Sequence, residues 1–258
     1  MKKHRHDTDP CPNLFFSEEE GFRYLHFGSP WIQGAMKVGR PFELVLEYPR
    51  QMMACGLFYP EPGQIVQLGL GAASLTKFCW KYTKARIDVA EISPNVVMSA
   101  QQWFKCPMPD DRLDIHLADA KEFIAARKDF NPCDWLQVDI YDEQARGPVY
   151  DDVDFYRLCR RAMNKKGSVA SFNLFGSRFD KSFEAINEAF AGRTLVMPEI
   201  DEGNRVVLAF AGDKLETTVD ELYERAQMLR ARWKLGCIRW VNGLKALNPT
   251  FKEPVISL

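Results

Sequence analysis

Apolar residues in this chain gather in short runs at 65–68, 87–90, 113–117, 135–138 and 168–173. Each run has the length and continuity of a strand buried on both faces of a parallel sheet. Between them lie segments with helical periodicity, at 75–82, 95–104, 120–126, 154–163 and 181–189. This alternation predicts an α/β fold, a doubly wound Rossmann-like sheet with helices on both faces. Two further apolar runs, 195–197 and 205–210, predict a closing hairpin, and 218–234 a charged amphipathic helix on the outside.

Ahead of the first parallel strand the pattern changes. Apolar alternation at Phe22, Tyr24 and His26, at Trp31, and at Phe42, Leu44 and Leu46 is broken by Gly28-Ser29-Pro30, Gly34 and Gly39-Arg40-Pro41, which predicts small antiparallel strands. Residues 48–58 read as a helix that Pro60-Glu61-Pro62-Gly63 stops. The first twelve residues are charged and proline-containing, with too little apolar surface to pack. The expected organisation is a mobile tail over 1–12, a small β-unit with its linking helix over 13–58, and a nucleoside-binding domain over 59–258.

Composition narrows the function classes. A formal charge of −1 gives no general attraction to nucleic acid or to an anionic membrane surface, so neither is expected as a partner. Seven cysteines stand without a CxxC pair, and four histidines leave little from which to build a metal site. Reduced thiols, the lack of an apolar signal core at the start and the absence of a bilayer-length apolar run predict a cytoplasmic protein.

The chemistry concentrates in residues 64–148. Gly69 and Gly71 follow the first parallel strand, where a tight turn lets backbone N–H groups approach a ligand. A dinucleotide fingerprint would place a third glycine at Ser74, so pyrophosphate binding and hydride transfer are disfavoured. Glu91 ends the second strand, where a carboxylate can accept from both ribose hydroxyls. Asp119-Ala120 ends the third, where a side chain and a backbone N–H can meet an adenine edge, although Asp119 fits a helix N-cap equally well. Asp139 ends the fourth strand and Asp142 follows in an acidic loop, so the pair needs either a cationic ligand or a shared proton.

These residues resemble the polyamine aminopropyltransferases, or spermidine synthases, including their short bacterial members. The resemblance runs from about Arg23 to Phe175 and rests on the combined order of Gln33, Tyr48, Gly69-Leu70-Gly71, Glu91, Asp119-Ala120, Asp139-Ile140-Tyr141-Asp142, Gly147-Pro148 and Phe155-Tyr156. It implies a small N-terminal β-domain on a methyltransferase-type Rossmann domain, assembled here as a homodimer. It also implies aminopropyl transfer from decarboxylated S-adenosylmethionine, a co-substrate and not a resident cofactor, to a diamine such as putrescine. On this resemblance Glu91 holds the ribose, Asp119 and Ala120 the adenine, and Asp139 accepts the proton. Asp142, Tyr141, Pro148, Gln33 and Tyr48 then surround the amine, with Gln33 closing the β-unit over it. No metal is expected, because a sulfonium donor is already activated.

The chain departs from the family pattern at Ala72, where an aspartate usually meets the donor's charged arm, at Ile140-Tyr141 and at Pro49-Arg50. Two other functions share the nucleoside residues. An S-adenosylmethionine-dependent methyltransferase needs Glu91 and Asp119 but not Asp142 or Gln33, and a non-catalytic relative that binds nucleoside or polyamine would tolerate Ala72 and Pro49.

Overall fold

The apolar runs become parallel strands, set off by Gly63 and Gly69 around 65–68, by Pro132 ahead of 135–138 and by Gly167 ahead of 168–173. A computed structural model describes residues 13–28, 31–127, 131–141, 147–201 and 203–258. In chain order the strands and helices are β1 (Leu14–Glu19), β2 (Phe22–Phe27), β3 (Gly34–Lys37), α1 (Glu47–Met52), α2 (Cys55–Phe58), β4 (Gln64–Leu68), α3 (Ser74–Tyr82), β5 (Arg86–Glu91), α4 (Pro94–Gln102), β6 (Leu113–Leu117), α5 (Ala120–Ala126) and β7 (Trp135–Val138). They continue as α6 (Val153–Arg161), β8 (Ser168–Phe175), α7 (Phe179–Ala189), β9 (Thr194–Val196), β10 (Asn204–Ala211), β11 (Glu216–Thr217), α8 (Val219–Trp233), α9 (Cys237–Leu247) and β12 (Ile256–Ser257).

The central sheet has seven strands in the order β6-β5-β4-β7-β8-β10-β9. The first five are parallel, and the β9–β10 hairpin adds two antiparallel strands at one edge. The strand order reverses between β4 and β7, so a crevice opens outside their carboxyl ends. Beneath it runs a buried polar ladder: the Thr76 hydroxyl donates to Gln67 Oε1 at 2.6 Å, and Gln67 Nε2 donates to Gln137 Oε1 at 2.8 Å. These bonds tie α3, β4 and β7 together in a dry interior, where an unmet amide would be costly.

The N-terminal sheet, in the order β1-β2-β3, is joined to the main sheet through its last strand. A methyl group added at Gly34 would lie 2.6 Å from the Ala72 Cβ, and the Ser74 hydroxyl donates to the Ala35 carbonyl at 3.3 Å. Leu25, Phe27 and Met36 share one apolar cluster with Phe78, Ile87 and Trp135 of the main fold. On the opposite sheet face a second cluster packs Val66, Leu136 and Phe172 against α6 and α7 through Phe155, Tyr156 and Ile186.

Local structure differs from expectation at several points. The segment at Phe42, Leu44 and Leu46 forms no strand; both Nε and Nη2 of Arg50 donate to the Leu44 carbonyl, at 3.0 and 2.8 Å, and take the place of a ladder partner. The helix read over 48–58 is split into α1 and α2 by a turn at Met53-Ala54. β1 forms from Leu14-Phe15-Phe16, pairing Phe16 with Leu25, and α9 closes the far side of the fold against α8; neither was expected. No helix of the described residues is long and apolar enough to cross a membrane.

Candidate active site

Strand register assembles the site. Leu68 pairs with Ala90 on one side and Val138 on the other, and Val138 pairs with Phe172. Continued by one residue, this register sets Glu91, Gly69, Asp139 and Asn173 side by side across four adjacent strands. The contact between Gly69 and Asp139 is so close that a methyl group on Gly69, whose φ is +94°, would stand 2.2 Å from the Asp139 carbonyl oxygen. Only glycine fits between the two chain ends.

Glu91 clamps the glycine turn. Its Oε2 accepts from the Leu70 N–H at 3.0 Å and its Oε1 from the Ser93 N–H at 2.9 Å, with the N–H groups of Gly71 and Ile92 adding to the cage. Burial pushes the carboxyl pKa up and these donors pull it back. Two of the carboxylate's four lone-pair sites take Leu70 and Ser93, and ribose hydroxyls can compete for what remains.

Asp119 serves as the N-cap of α5: Oδ1 accepts from the Lys121 and Glu122 N–H groups, each at 2.9 Å. Its Oδ2 accepts from the Tyr150 hydroxyl. The helix cap uses Oδ1 alone, so Oδ2 carries only the Tyr150 bond and keeps a lone pair for a further donor. Burial, and then the Asp119 bond, raise the Tyr150 pKa to about 12, which keeps the phenol a donor. Ala120 is buried at the first turn of the same helix.

Around Asp139 the groups converge from four elements. Asn173 on β8 donates from Nδ2 to Asp139 Oδ1 at 2.9 Å, and the Tyr48 hydroxyl on α1 hydrogen-bonds to the same carboxylate. Asn204 on β10 donates to Asn173 Oδ1 at 2.9 Å, and the Tyr141 hydroxyl donates to the Asn173 carbonyl at 3.1 Å. Desolvation raises the Asp139 pKa, and the Asn173 and Tyr48 bonds oppose it. Tyr48 and Tyr141 are both held well above the ordinary phenol value, first by burial and then by the Asp139 charge, so both remain protonated. Asp139 makes no ion pair with any described residue.

Gln33 enters from the β-unit, its backbone carbonyl against Gly71 and its Nε2 buried without a hydrogen-bond partner among the described residues. A buried amide N–H with no acceptor is a donor awaiting one. Pro148 is buried where the chain folds back on Ile140 and Tyr141: the Val149 N–H donates to the Ile140 carbonyl at 3.2 Å. One strand beyond Asp139 a cleft of about 300 Å³ opens, lined by Phe175, Phe179, Asp180, Glu199 and Arg205 among others. Asp142 and the tail over 1–12 lie outside the described residues. Among the described residues no group of three His, Cys, Asp or Glu is placed to hold a metal ion.

Sequence reasoning missed Asn173, Asn204 and Tyr150. Asn173 carried a signal, an amide in the apolar second half of the strand that follows that of Asp139; the other two carried none.

No family model matches the chain. It is 33% identical over 241 residues to the polyamine aminopropyltransferase of Neisseria meningitidis serogroup A, covering 92% of this chain and 91% of that protein. The structure of a probable spermidine synthase from Corynebacterium glutamicum superposes with a TM-score of 0.65 at 15% identity, covering 90% of this chain and 91% of that one. Human methyltransferase-like protein 13, solved with SAH, gives 0.63 at 22% identity, covering 74% of this chain and 93% of that one. The two structural likenesses establish the fold.

Proposed function

The chain belongs to the polyamine aminopropyltransferases, and from that premise we propose how its residues divide the reaction. It is a transferase of an alkyl group other than methyl, moving aminopropyl to an amine. The donor is decarboxylated S-adenosylmethionine, consumed as a co-substrate, and the acceptor is a diamine such as putrescine. Glu91 takes the ribose hydroxyls, Asp119 Oδ2 and the Ala120 N–H the adenine edge, and the turn at Gly69 and Gly71 brings the backbone close to the nucleoside.

Asp139 accepts the proton. An ammonium has no lone pair to attack with, so one amine must lose a proton before its nitrogen bonds to the carbon beside the sulfonium. As that N–C bond forms the C–S bond breaks, its electron pair stays on sulfur, and neutral methylthioadenosine leaves. The single observation that carries this reading is the Asp139 carboxylate: desolvated, hydrogen-bonded by Tyr48 and Asn173, and packed against the turn that Glu91 clamps. A carboxylate in such a place is a stronger base than one in water. Tyr48, Tyr141, Pro148, Gln33 and Asp142 position the amine, with the β-unit and linking helix over 13–58 acting as its cover on the domain over 59–258.

Among the described residues six buried free cysteines suit a reducing cytoplasm, and the working form on the same reading is a homodimer. Purified protein incubated with decarboxylated or ordinary S-adenosylmethionine and a panel of diamines should yield an aminopropylated amine and methylthioadenosine from the former alone. Methylated amine from the latter alone would make it a methyltransferase. Tight binding of methylthioadenosine with every amine untouched would make it a non-catalytic relative.

A further inference from the structure

We propose that Asn173, braced by Asn204, is the positioning residue of the reaction: it fixes the plane of the Asp139 carboxylate and leaves its remaining lone pairs for the substrate amine. The inference rests on the reading of Asp139 as proton acceptor and adds the part that holds it.

Each of these hydrogen bonds has only one possible direction. An ionised carboxylate only accepts, so Asn173 must turn its N–H to Asp139 Oδ1, 2.9 Å away. The Asn173 oxygen is then left facing Asn204, which supplies the N–H it needs, also at 2.9 Å. Both amides are thereby oriented, and reversing either would set donor against donor or acceptor against acceptor. Register explains why Asn204 can reach. Asn173 pairs with Val206 across the antiparallel β8–β10 ladder, so Asn204, two residues earlier on the same face, is its diagonal neighbour.

The brace continues into the backbone. Asn173 is 3% exposed, in a strand whose residues from Ser168 to Leu174 are all buried, so its side chain has no room to swing. The Tyr141 hydroxyl holds the Asn173 carbonyl at 3.1 Å. Among the described residues the titratable groups acting on Asp139 are two phenols, Tyr48 from α1 and Tyr141 from its own loop. Neither brings a positive charge, so the Asn173 amide, with the Tyr48 hydroxyl, is what opposes the desolvation that raises the Asp139 pKa.

The test compares pH profiles of aminopropyl transfer in the wild type, Asn173→Leu and Asn204→Leu. The amine titrates identically in all three, so a difference in the acidic limb reports the base. Asn173→Leu should shift that limb alkaline by roughly one to two pH units and lower kcat about tenfold or more, since a hydrogen bond to a charged group is lost. Asn204→Leu should shift it the same way by less, and carries the test if Asn173→Leu does not fold. Methylthioadenosine affinity, read by calorimetry, should stay within about twofold. A limb that stays in place while melting temperature and kcat fall would reduce Asn173 to a structural role and overturn the proposal. Carbon-13 titration of the Asp139 carboxyl, assigned by its loss in Asp139→Asn, separates the two readings. If the wild type transfers nothing, the proposed function fails; the Asn173 inference then stands on an alkaline shift of that carboxyl in the variants and falls without one.

Discussion

Replacing Asp139 by asparagine should cripple the enzyme and stabilise the fold. The amide has nearly the carboxylate's shape, so Asn173 can still donate to its oxygen, and its new N–H can donate to the Tyr48 hydroxyl. What disappears is the base and the buried charge. Loss of a general base should cost about a hundredfold or more in turnover, or roughly 2.7 kcal/mol in the barrier, with methylthioadenosine binding retained. Stability moves the other way. Burial holds the folded Asp139 pKa above the ordinary aspartate value, so between the unfolded and folded values the native state binds more protons. Stability therefore falls as pH rises through that window, and the whole cost is present above it. Each pH unit of elevation corresponds to about 1.4 kcal/mol. Urea denaturation at pH 7 should show the variant more stable than the wild type, and the gain should vanish near pH 4, where the unfolded carboxyl also protonates. Single-turnover transfer followed by mass spectrometry supplies the rate. An intact rate would remove Asp139 as the base, and a variant less stable at pH 7 would show that the carboxylate is a net structural asset.

Glu91→Gln places an amide N–H against a backbone donor whichever way it turns, so it should weaken nucleoside affinity by about ten- to a hundredfold and also lower the melting temperature; unchanged calorimetric affinity in the folded variant would take Glu91 out of the site. Gln33→Ala removes a buried, unpartnered donor and should raise the apparent KM for the amine several-fold while sparing the nucleoside; equal effects on both substrates would contradict its placement. Lys77, 1% exposed and donating to the Phe104 carbonyl at 2.7 Å, has its pKa lowered by burial from 10.5 to about 8. The unfolded chain then binds the extra proton between those values, so wild-type stability should rise with pH across the window by roughly 3 kcal/mol relative to Lys77→Met; parallel stability curves for the two proteins would show that the lysine titrates normally.

Local sequence was enough to set the succession of strands and helices from β4 to β8, although β8 runs to Phe175, two residues past its expected end at Asn173. Those signals are local: an apolar run at 65–68 closed by Gly69, or an acid at Glu91 ahead of Pro94, reads the same wherever the segment later packs. Segments whose conformation depends on distant partners were not legible. The stretch around Leu44 lost its strand to the Arg50 guanidinium, and the residues following Tyr48 bent between α1 and α2. In the site, position along the chain placed Asp139 at a strand end, but only strand order set it between Gly69 and Asn173. Asn173 and Asn204 lie 34 and 65 residues beyond Asp139 in sequence, so the bonds orienting the carboxylate exist only after β8 and β10 have paired beside β7. Tertiary structure also decided how lone pairs are spent, giving Asp119 Oδ1 to its own helix and Oδ2 to Tyr150. Sequence names the groups that can do chemistry, while the dry interior, in which every donor and acceptor must find a partner, decides which of them remain free for it.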